Sequence, residues 1–265
     1  MTNYEKKYKK LIRLVLHFGS DRCKERTGAG ALSYFYTSIN VFSPFGAPLL
    51  TGRQMFYKGI IGEVLAFLNG ATNIKDFKKY GCNYWDNWAD SNGNLGPIYG
   101  KQWVDFNGQN VNQIQNVINE AKQNPESRRL LVSAWNPAQQ HEMALPPCFH
   151  SFQLNIDNNN LNMLVNMRSV DLMVGFPSDV FFHYVLQQIF CAELGLEPGK
   201  LCFAMGDVHI YKNHFTGCAQ YLKRKQYDLP NFKLINYQGI DKLTQDNFVI
   251  TNYKHKEKIN FTINE

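Results

Sequence analysis

Hydrophobic and polar residues recur with helical and strand periods along most of the chain. Residues 4–18 predict an amphipathic helix, with Leu11, Ile12, Val15 and Leu16 on one face. The same patterns predict helices at 58–68, 110–123, 179–194 and 211–224, and strands at 31–42, 129–135, 152–156, 161–167 and 201–208. The asparagine-rich residues 157–160 are typical of a hairpin turn between two of these strands. The order of elements predicts an α+β fold built on one extended sheet.

Two features of the chain bear on its domain organisation. It contains no repeat, no low-complexity tract and no linker rich in Gly, Ser or Pro, so residues 1–265 are expected to form a single domain. Residues 85–103 are rich in turn-forming residues yet contain three tryptophans. Loops rarely carry so much aromatic surface without burying it or binding a ligand with it.

Composition and charge exclude several functional classes. The net charge of +6 suits an anionic ligand, but a lysine-rich surface accounts for it equally well. The basic runs at 6–10 and 254–258 lack interleaved arginines and aromatics, so nucleic acid is not expected as the main partner. The six cysteines show no metal-ligand spacing, which favours reduced thiols and no metal site. Without a signal peptide or an apolar stretch of membrane-spanning length, the chain is expected to be cytoplasmic.

Three short segments carry residues with candidate chemistry. Cys148 follows two prolines and precedes a predicted strand, so it is either a nucleophile on rigid backbone or a small buried thiol. Arg128-Arg129 and Arg168-Ser169 adjoin predicted strands. They are either phosphate ligands or ordinary charged residues on the solvent-exposed surface. His209 and Tyr211 lie two residues apart at a strand end, where both side chains can point to one ligand or into the core.

Four longer segments resemble the thymidylate synthase family: residues 25–28, 83–103, 128–148 and 206–214. The resemblance is collinear from about residue 20 to the C-terminus. It implies the thymidylate synthase α+β fold, with a large mixed sheet, flanking helices and an obligate dimer whose sheets pack back to back. It also implies a pyrimidine nucleoside monophosphate as substrate and 5,10-methylenetetrahydrofolate as co-substrate, with no metal.

The resemblance further implies a role for each matching residue. Cys148 matches the nucleophile that adds to C6 of the base, and Glu63 and Tyr99 match the acid–base and proton-relay positions. The nucleotide-binding positions are the phosphate ligands Arg26, Arg168 and Ser169, the arginines Arg128 and Arg129 contributed by the other subunit, and the ribose-binding His209 and Tyr211. The folate-binding positions are Arg53, for the glutamate tail, and Trp85, Trp88, Leu145, Asp171 and Gly175.

One departure from the family pattern concerns the choice of base. Thymidylate synthases end a Gly-x-Pro-x-Asn segment with asparagine, whereas here the segment from Gly175 ends in Asp179. An asparagine amide complements uracil, because it accepts from N3–H and donates to O4. Cytosine presents an N3 acceptor and an N4 amino donor instead. A carboxyl group that shares one proton with N3 fits that edge, and protonated N3 makes C6 more electrophilic.

Two further departures point the same way. Phe149 stands where thymidylate synthases usually have a histidine beside the nucleophile, which suggests a rebuilt subsite for the exocyclic group. Residues 261–265 are polar and acidic at the tip, where the family has a short apolar segment that excludes water. Residues 165–169 also resemble deoxycytidylate hydroxymethylase, a sister family with aspartate at the discriminating position.

The sequence therefore favours folate-dependent C5 hydroxymethylation of dCMP or CMP. One alternative is a thymidylate synthase that methylates dUMP and carries an unusual Asp179. Another is a non-catalytic nucleotide- or RNA-binding regulator. That alternative is disfavoured because each catalytic position that can be matched holds a chemically competent residue.

Overall fold

A mixed β-sheet forms the centre of the protein, which is described by a computed structural model covering residues 3–22, 27–41 and 46–264. Its strands are β1 (Ser20–Arg22), β2 (Ala31–Asn40), β3 (Leu131–Ser133), β4 (Phe149–Asp157), β5 (Asn160–Asp171) and β6 (Glu197–Tyr211), in the spatial order β1-β2-β6-β5-β4-β3. Only β5 and β6 run parallel; the other neighbours are antiparallel. Strands β7 (Asn231–Leu234) and β8 (Phe248–Thr251) form a separate antiparallel pair.

Helices pack around this sheet. They are α1 (Asn3–Phe18), α2 (Tyr57–Leu68), α3 (Ile74–Lys79), α4 (Tyr99–Val104), α5 (Gln113–Gln123), α6 (Gly175–Leu194) and α7 (Phe215–Lys223). Helix α6 connects the two parallel strands and is buried on most of its circumference, so its sequence shows little amphipathic periodicity. No helix within the described ranges is both long and apolar enough to cross a membrane.

The predicted α+β class, with one large mixed sheet and flanking helices, is confirmed. The hairpin at residues 157–160 is also confirmed, since Asn158 and Asn159 both adopt the left-handed backbone conformation of a two-residue turn. The predicted strand 129–135 is wrong at its ends: β3 spans three residues, and both arginines precede it. Phe42, the end of another predicted strand, lies outside the described residues.

Two helix predictions need correction. Helix α6 begins four residues earlier than predicted, at Gly175, because proline is tolerated in a first helical turn. The predicted helix 211–224 divides into the end of β6, a 3₁₀ turn at Lys212–His214, and α7. Helices α3 and α4 were missed because each has only six residues and follows a turn-rich stretch.

One face of the sheet carries exposed apolar side chains. Leu131, Gln153, Leu164 and Cys202 are cross-strand partners in successive strands, so their side chains point to the same side. Leu131 is 46% exposed and Leu164 is 37% exposed. A sheet face of this kind is suited to packing against another protein surface.

A glycine lets the turn-rich segment approach the loop that carries Cys148. Gly96 has φ +72°, and a Cβ there would lie 2.0 Å from the carbonyl oxygen of Glu142. The backbone N–H of Ala144 donates to Leu95 O at 2.9 Å beside this contact. The close approach therefore fixes one side of the loop that leads to Cys148.

Replacing Gly96 should cost far more stability than replacing a glycine with the same backbone conformation in open space. Gly81 also has φ +72° but would have no atom within 4 Å of its Cβ. Gly81→Ala should lower the free energy of unfolding by about 1 kcal/mol, from backbone strain alone. Gly96→Ala should lower it by about 3 kcal/mol or more, because the clash with Glu142 adds to the strain. Equal losses in denaturant unfolding would contradict this account of the loop.

Candidate active site

A large cleft opens beside Cys148. It is lined by residues of β1, β2, β5 and β6, the start of α6, the loop 135–148 and the C-terminal segment. Its volume of about 1450 Å³ exceeds the roughly 300–1000 Å³ of a typical pocket for one small ligand. The cleft can therefore hold two ligands side by side.

Cys148 lies at the cleft wall, immediately before β4. Its backbone N–H donates to the Tyr99 hydroxyl at 2.7 Å, which ties it to the start of α4. Burial raises the pKa of the Cys148 thiol to about 11, although the Arg168 guanidinium acts to lower it and Asp179 acts to raise it. Cys148 is therefore a protonated thiol at neutral pH when no ligand is bound, and thiolate formation requires transfer of that proton.

Arg168 holds the loop that carries Cys148. Its Nε donates to Pro147 O and its Nη2 donates to Pro146 O, both at 2.8 Å. Its backbone N–H donates to Cys148 O, also at 2.8 Å, and its guanidinium stacks over the Trp135 ring at 5.6 Å. These contacts occupy two of the five guanidinium N–H groups, so three donors remain for an anionic ligand.

Glu63 on α2 lies behind this wall. It accepts a hydrogen bond from Trp85 Nε1 at 2.7 Å. Burial raises the pKa of Glu63 to about 7, and the Trp85 hydrogen bond acts in the opposite direction. A carboxyl group with a pKa near 7 can both donate and accept a proton at neutral pH.

Asp179 lies in the first turns of α6, one helical turn beyond Gly175. An added Cβ on Gly175, which lines the cleft, would lie 3.7 Å from Asp179 Oδ2, so the carboxyl group lies directly behind this glycine. Burial raises the pKa of Asp179 well above its usual value, and the nearby charges of Glu63 and Asp171 raise it further. The group is therefore predisposed to hold a proton.

Phe149 packs in an aromatic cluster beneath the nucleophile. Its ring centroid lies 4.4 Å from that of Tyr99 and 4.6 Å from that of His183, which is fully buried. His183 Nδ1 hydrogen-bonds to Asp179 O at 2.8 Å, and burial lowers the pKa of His183 to about 4. An uncharged, largely apolar layer therefore supports the region between Cys148 and Asp179.

The opposite wall of the cleft carries Asp207, His209 and Tyr211, which alternate along β6. His209 Nδ1 hydrogen-bonds to Asp207 Oδ1 at 3.1 Å, and this contact holds the pKa of Asp207 below its usual value. The His209 and Tyr211 rings meet edge to face at 5.1 Å. With Nδ1 engaged, Nε2 of His209 is left for a ligand hydroxyl.

Trp88, Leu145, Asp171 and Gly175 line the cleft near the start of α6. Asp171 Oδ1 accepts from Met173 N at 2.9 Å and Val174 N at 3.2 Å, which leaves Oδ2 for a ligand. Arg53 lies close by: its Nη2 donates to Met173 O at 2.5 Å, and its buried Nε has no acceptor in the described part of the chain.

The model of the thymidylate synthase family matches residues 6–265, nearly the whole chain. The chain belongs to the thymidylate synthase family. Its activity is accordingly folate-dependent transfer of a one-carbon unit to a pyrimidine nucleotide, with methylenetetrahydrofolate as co-substrate. A thymidylate synthase must bind a nucleotide and a folate together, which suits the volume of the cleft. Asp171 Oδ2 accepts no hydrogen bond from a described residue, so it remains available to a polar ligand in this cleft.

The structure brings most of the predicted thymidylate synthase site residues together. The residues that line the cleft are Trp88, Leu145, Cys148, Arg168, Ser169, Asp171, Gly175, His209 and Tyr211. Glu63, Tyr99, Trp85 and Asp179 contact this group from behind, and Arg53 adjoins it through Met173. Arg128 and Arg129 are exposed and do not line the cleft of their own chain. Arg26 lies outside the described residues. Among the residues that are described, no group of three or more His, Cys, Asp or Glu is placed to hold a metal ion.

Several residues of the site were not predicted individually. Asp207 could have been found from strand alternation with His209 and Tyr211, and His183 from its helical spacing to Asp179. Trp135, Gln140, Ile263 and Asn264 also line the cleft, but they reach it through loop and C-terminal conformations that no periodicity predicts.

The buried environment of Cys148 predicts slow alkylation. At pH 8 its reaction with iodoacetamide should be roughly 10–100-fold slower than that of an exposed cysteine, because a pKa of about 11 leaves little thiolate. Peptide mass mapping over a pH series measures the rate, and Cys148→Ser identifies the labelled peptide. Alkylation as fast as that of an exposed cysteine would mean that Arg168 outweighs burial.

Proposed function

We propose that the protein hydroxymethylates C5 of a cytidine monophosphate, dCMP or CMP, with Cys148 as the covalent nucleophile. The observation that carries this proposal is the carboxyl group of Asp179, partly buried beside Cys148 and predisposed to hold a proton. A protonated carboxyl group offers one donor and one acceptor. That pair complements N3 and the N4 amino group of cytosine.

The surroundings of Asp179 support the choice of cytosine over uracil. Cytosine N3 can accept the Asp179 proton, whereas uracil N3 already carries one. The aromatic layer formed by Phe149 and the uncharged His183 offers no cation that would hold Asp179 ionised instead. His150 follows Phe149 on β4, and both burial and the nearby Arg168 lower the pKa of His150. The exocyclic subsite therefore relies on Asp179 for its polar contact.

The proposed reaction begins when the Cys148 thiol gives its proton to water in the cleft and its sulfur adds to C6, while Asp179 supplies a proton to N3; both protons return when Cys148 is eliminated at the end. The folate supplies a one-carbon unit at the oxidation level of formaldehyde. A bond forms between C5 and that carbon, tetrahydrofolate leaves, and C5 loses its proton to the Glu63–Tyr99 side of the cleft. Water then adds to the exocyclic methylene, and elimination of Cys148 frees the 5-hydroxymethyl product. The sum is nucleotide, methylenetetrahydrofolate and water giving hydroxymethyl nucleotide and tetrahydrofolate.

The C-terminal segment supports water as the final acceptor of the one-carbon unit. Ile263 and Asn264 line the cleft, and the Asn264 amide pairs with the Asn213 amide at 2.8 Å. The Thr262 carbonyl contacts His214 Nε2, also at 2.8 Å. This end of the cleft is thus closed by polar groups, which favour a retained water over its exclusion.

The remaining nucleotide contacts follow the family. Arg168 and Ser169 would bind the phosphate, and His209 and Tyr211 the ribose 3′-hydroxyl. We propose that Arg128 and Arg129 complete the phosphate site of a partner subunit. Their exposure, and their place beside β3 at the edge of the apolar sheet face, support this arrangement.

Asp179→Asn tests the choice of base. Asparagine preserves the size and can hydrogen-bond either base, but it cannot supply a proton to N3. Turnover of the cytosine nucleotide should fall by roughly 10²–10⁴-fold, as for other missing acid–base groups, while affinity for dUMP should rise. The measurement is kcat/KM for both nucleotides with the same enzyme preparation. Intact turnover of the cytosine nucleotide in Asp179→Asn would contradict the proposal and favour dUMP methylation.

Mixing two inactive variants tests the shared site. In a heterodimer of Arg128→Ala/Arg129→Ala with Cys148→Ala, one site keeps every residue. Random subunit exchange should restore about a quarter of wild-type activity, because half of the dimers are mixed and each has one intact site.

The matched control for this experiment mixes Cys148→Ala with Arg168→Ala. Arg168 serves the cleft of its own chain, so no site in this mixture is complete and no activity should return. Lack of recovery in the first mixture, with exchange verified by mass, would mean that each site is built from one chain.

A further inference from the structure

Glu5 is a fully buried carboxyl group with no assigned role, although its two oxygens accept hydrogen bonds from three donors. It lies on α1 and is 0% exposed. Its Oε1 accepts from the Gly52 backbone N–H at 3.1 Å and from the Tyr221 hydroxyl at 2.6 Å. Its Oε2 accepts from the Thr51 hydroxyl. Three donors from two other parts of the chain therefore converge on one carboxylate.

No salt bridge explains the burial of Glu5 among the residues that the structure describes. Lys9 is near enough for the Glu5 charge to oppose the burial that lowers the pKa of Lys9. However, Lys9 Nζ donates to the carbonyl oxygens of Leu222 and Arg224, at 3.2 and 2.6 Å. Burying a charged group is costly unless its hydrogen bonds are satisfied. The three donors satisfy those of Glu5, and Glu5 in turn fixes the positions of the donors.

Glu5 acts on the short loop that precedes α2. Gly52 fits against it only because it lacks a side chain: an added Cβ would lie 2.8 Å from the Tyr221 ring and 3.3 Å from Glu5 Oε1. The loop is fixed from the other side as well. Lys256 N donates to Thr51 O at 2.8 Å, and Arg224 Nη1 donates to Gly52 O at 3.1 Å.

Arg53 follows directly in this loop and adjoins the cleft through Met173. Its guanidinium donates to Met173 O and lies 5.2 Å from the Phe261 ring. Its buried Nε has no acceptor among the described residues. Arg53 therefore links this loop to the residues before α6 and to the C-terminal segment.

We infer that Glu5 is a positioning residue, which fixes the backbone of Thr51 and Gly52 so that Arg53 is aimed at a carboxylate of the folate. This inference rests on the proposed contact between Arg53 and the folate. Glu5 touches neither substrate, so it acts on folate affinity and not on the chemical step. Without it the loop loses two buried hydrogen bonds, Tyr221 loses a third, and Arg53 loses its fixed direction.

The experiment compares Glu5→Ala and Glu5→Gln with wild type. Glu5→Ala should raise KM for methylenetetrahydrofolate roughly tenfold, the scale of one buried hydrogen bond, while kcat and KM for the nucleotide change less than about twofold. Glu5→Gln keeps the shape and part of the bonding, so it should show a smaller rise. If Glu5→Ala does not fold, Glu5→Gln carries the test. Folate binding in the presence of nucleotide, followed by tryptophan fluorescence, gives a readout independent of turnover.

Glu193→Ala is the matched control for a general loss of stability. Glu193 also accepts two hydrogen bonds, from Lys122 at 2.7 Å and Tyr237 at 2.6 Å, but it lies outside the cleft. The Glu193→Ala substitution should lower the melting temperature of the protein without changing the KM for folate. A proportional fall of kcat, or an equal KM change in Glu193→Ala, would overturn the positioning role.

Arg53→Ala separates the two possible failures. If Arg53→Ala leaves the KM for folate unchanged, the proposed contact between Arg53 and the folate is wrong. If it raises KM while both Glu5 variants behave as wild type, the contact stands and the inference about Glu5 is overturned. If the inference is right, Glu5→Ala should add little to the KM of Arg53→Ala, because both act through one group. Whichever nucleotide the enzyme prefers serves for these assays.

Discussion

The crowding of carboxyl groups at one end of a partly buried cleft is the constraint on which the function depends. Asp179 is shielded from water and lies near the charges of Glu63 and Asp171, and both effects raise its pKa. Ionising all three groups together would leave unpaired negative charge in a region of low dielectric. A proton held at Asp179 relieves this repulsion, and the same proton is what a cytosine ring requires at N3.

The fold creates this crowding by bringing distant segments to the ends of adjacent strands. Strand β5 ends at Asp171 and α6 begins at Gly175, so Arg168, Asp171 and Asp179 lie on either side of one strand–helix junction. The loop that carries Cys148 is then fixed by Arg168, Tyr99 and the close approach at Gly96. Arg168 therefore has a structural function as well as its proposed contact with phosphate.

The sequence predicts the fold class, the hairpin and most of the site, because long periodic segments and collinear motifs carry those signals. It does not predict that the thiol of Cys148 would have a raised pKa, since that depends on burial and on the opposing effects of Arg168 and Asp179. Neither short helix is predicted, because six residues give too few turns for a helical period. The hydrogen bonds of Glu5 could not be predicted from sequence periodicity either, because its partners Thr51 and Tyr221 are 46 and 216 residues away along the chain.

The most direct test of the account is the product that wild-type enzyme forms from dCMP, CMP and dUMP in parallel incubations with methylenetetrahydrofolate. Mass spectrometry of the nucleotide distinguishes a 5-hydroxymethyl group from a 5-methyl group. The account predicts a hydroxymethylated cytosine nucleotide as the main product and little reaction of dUMP. Methylation of dUMP as the preferred reaction would contradict it, and would mean that the Asp179 carboxyl group does not select the base.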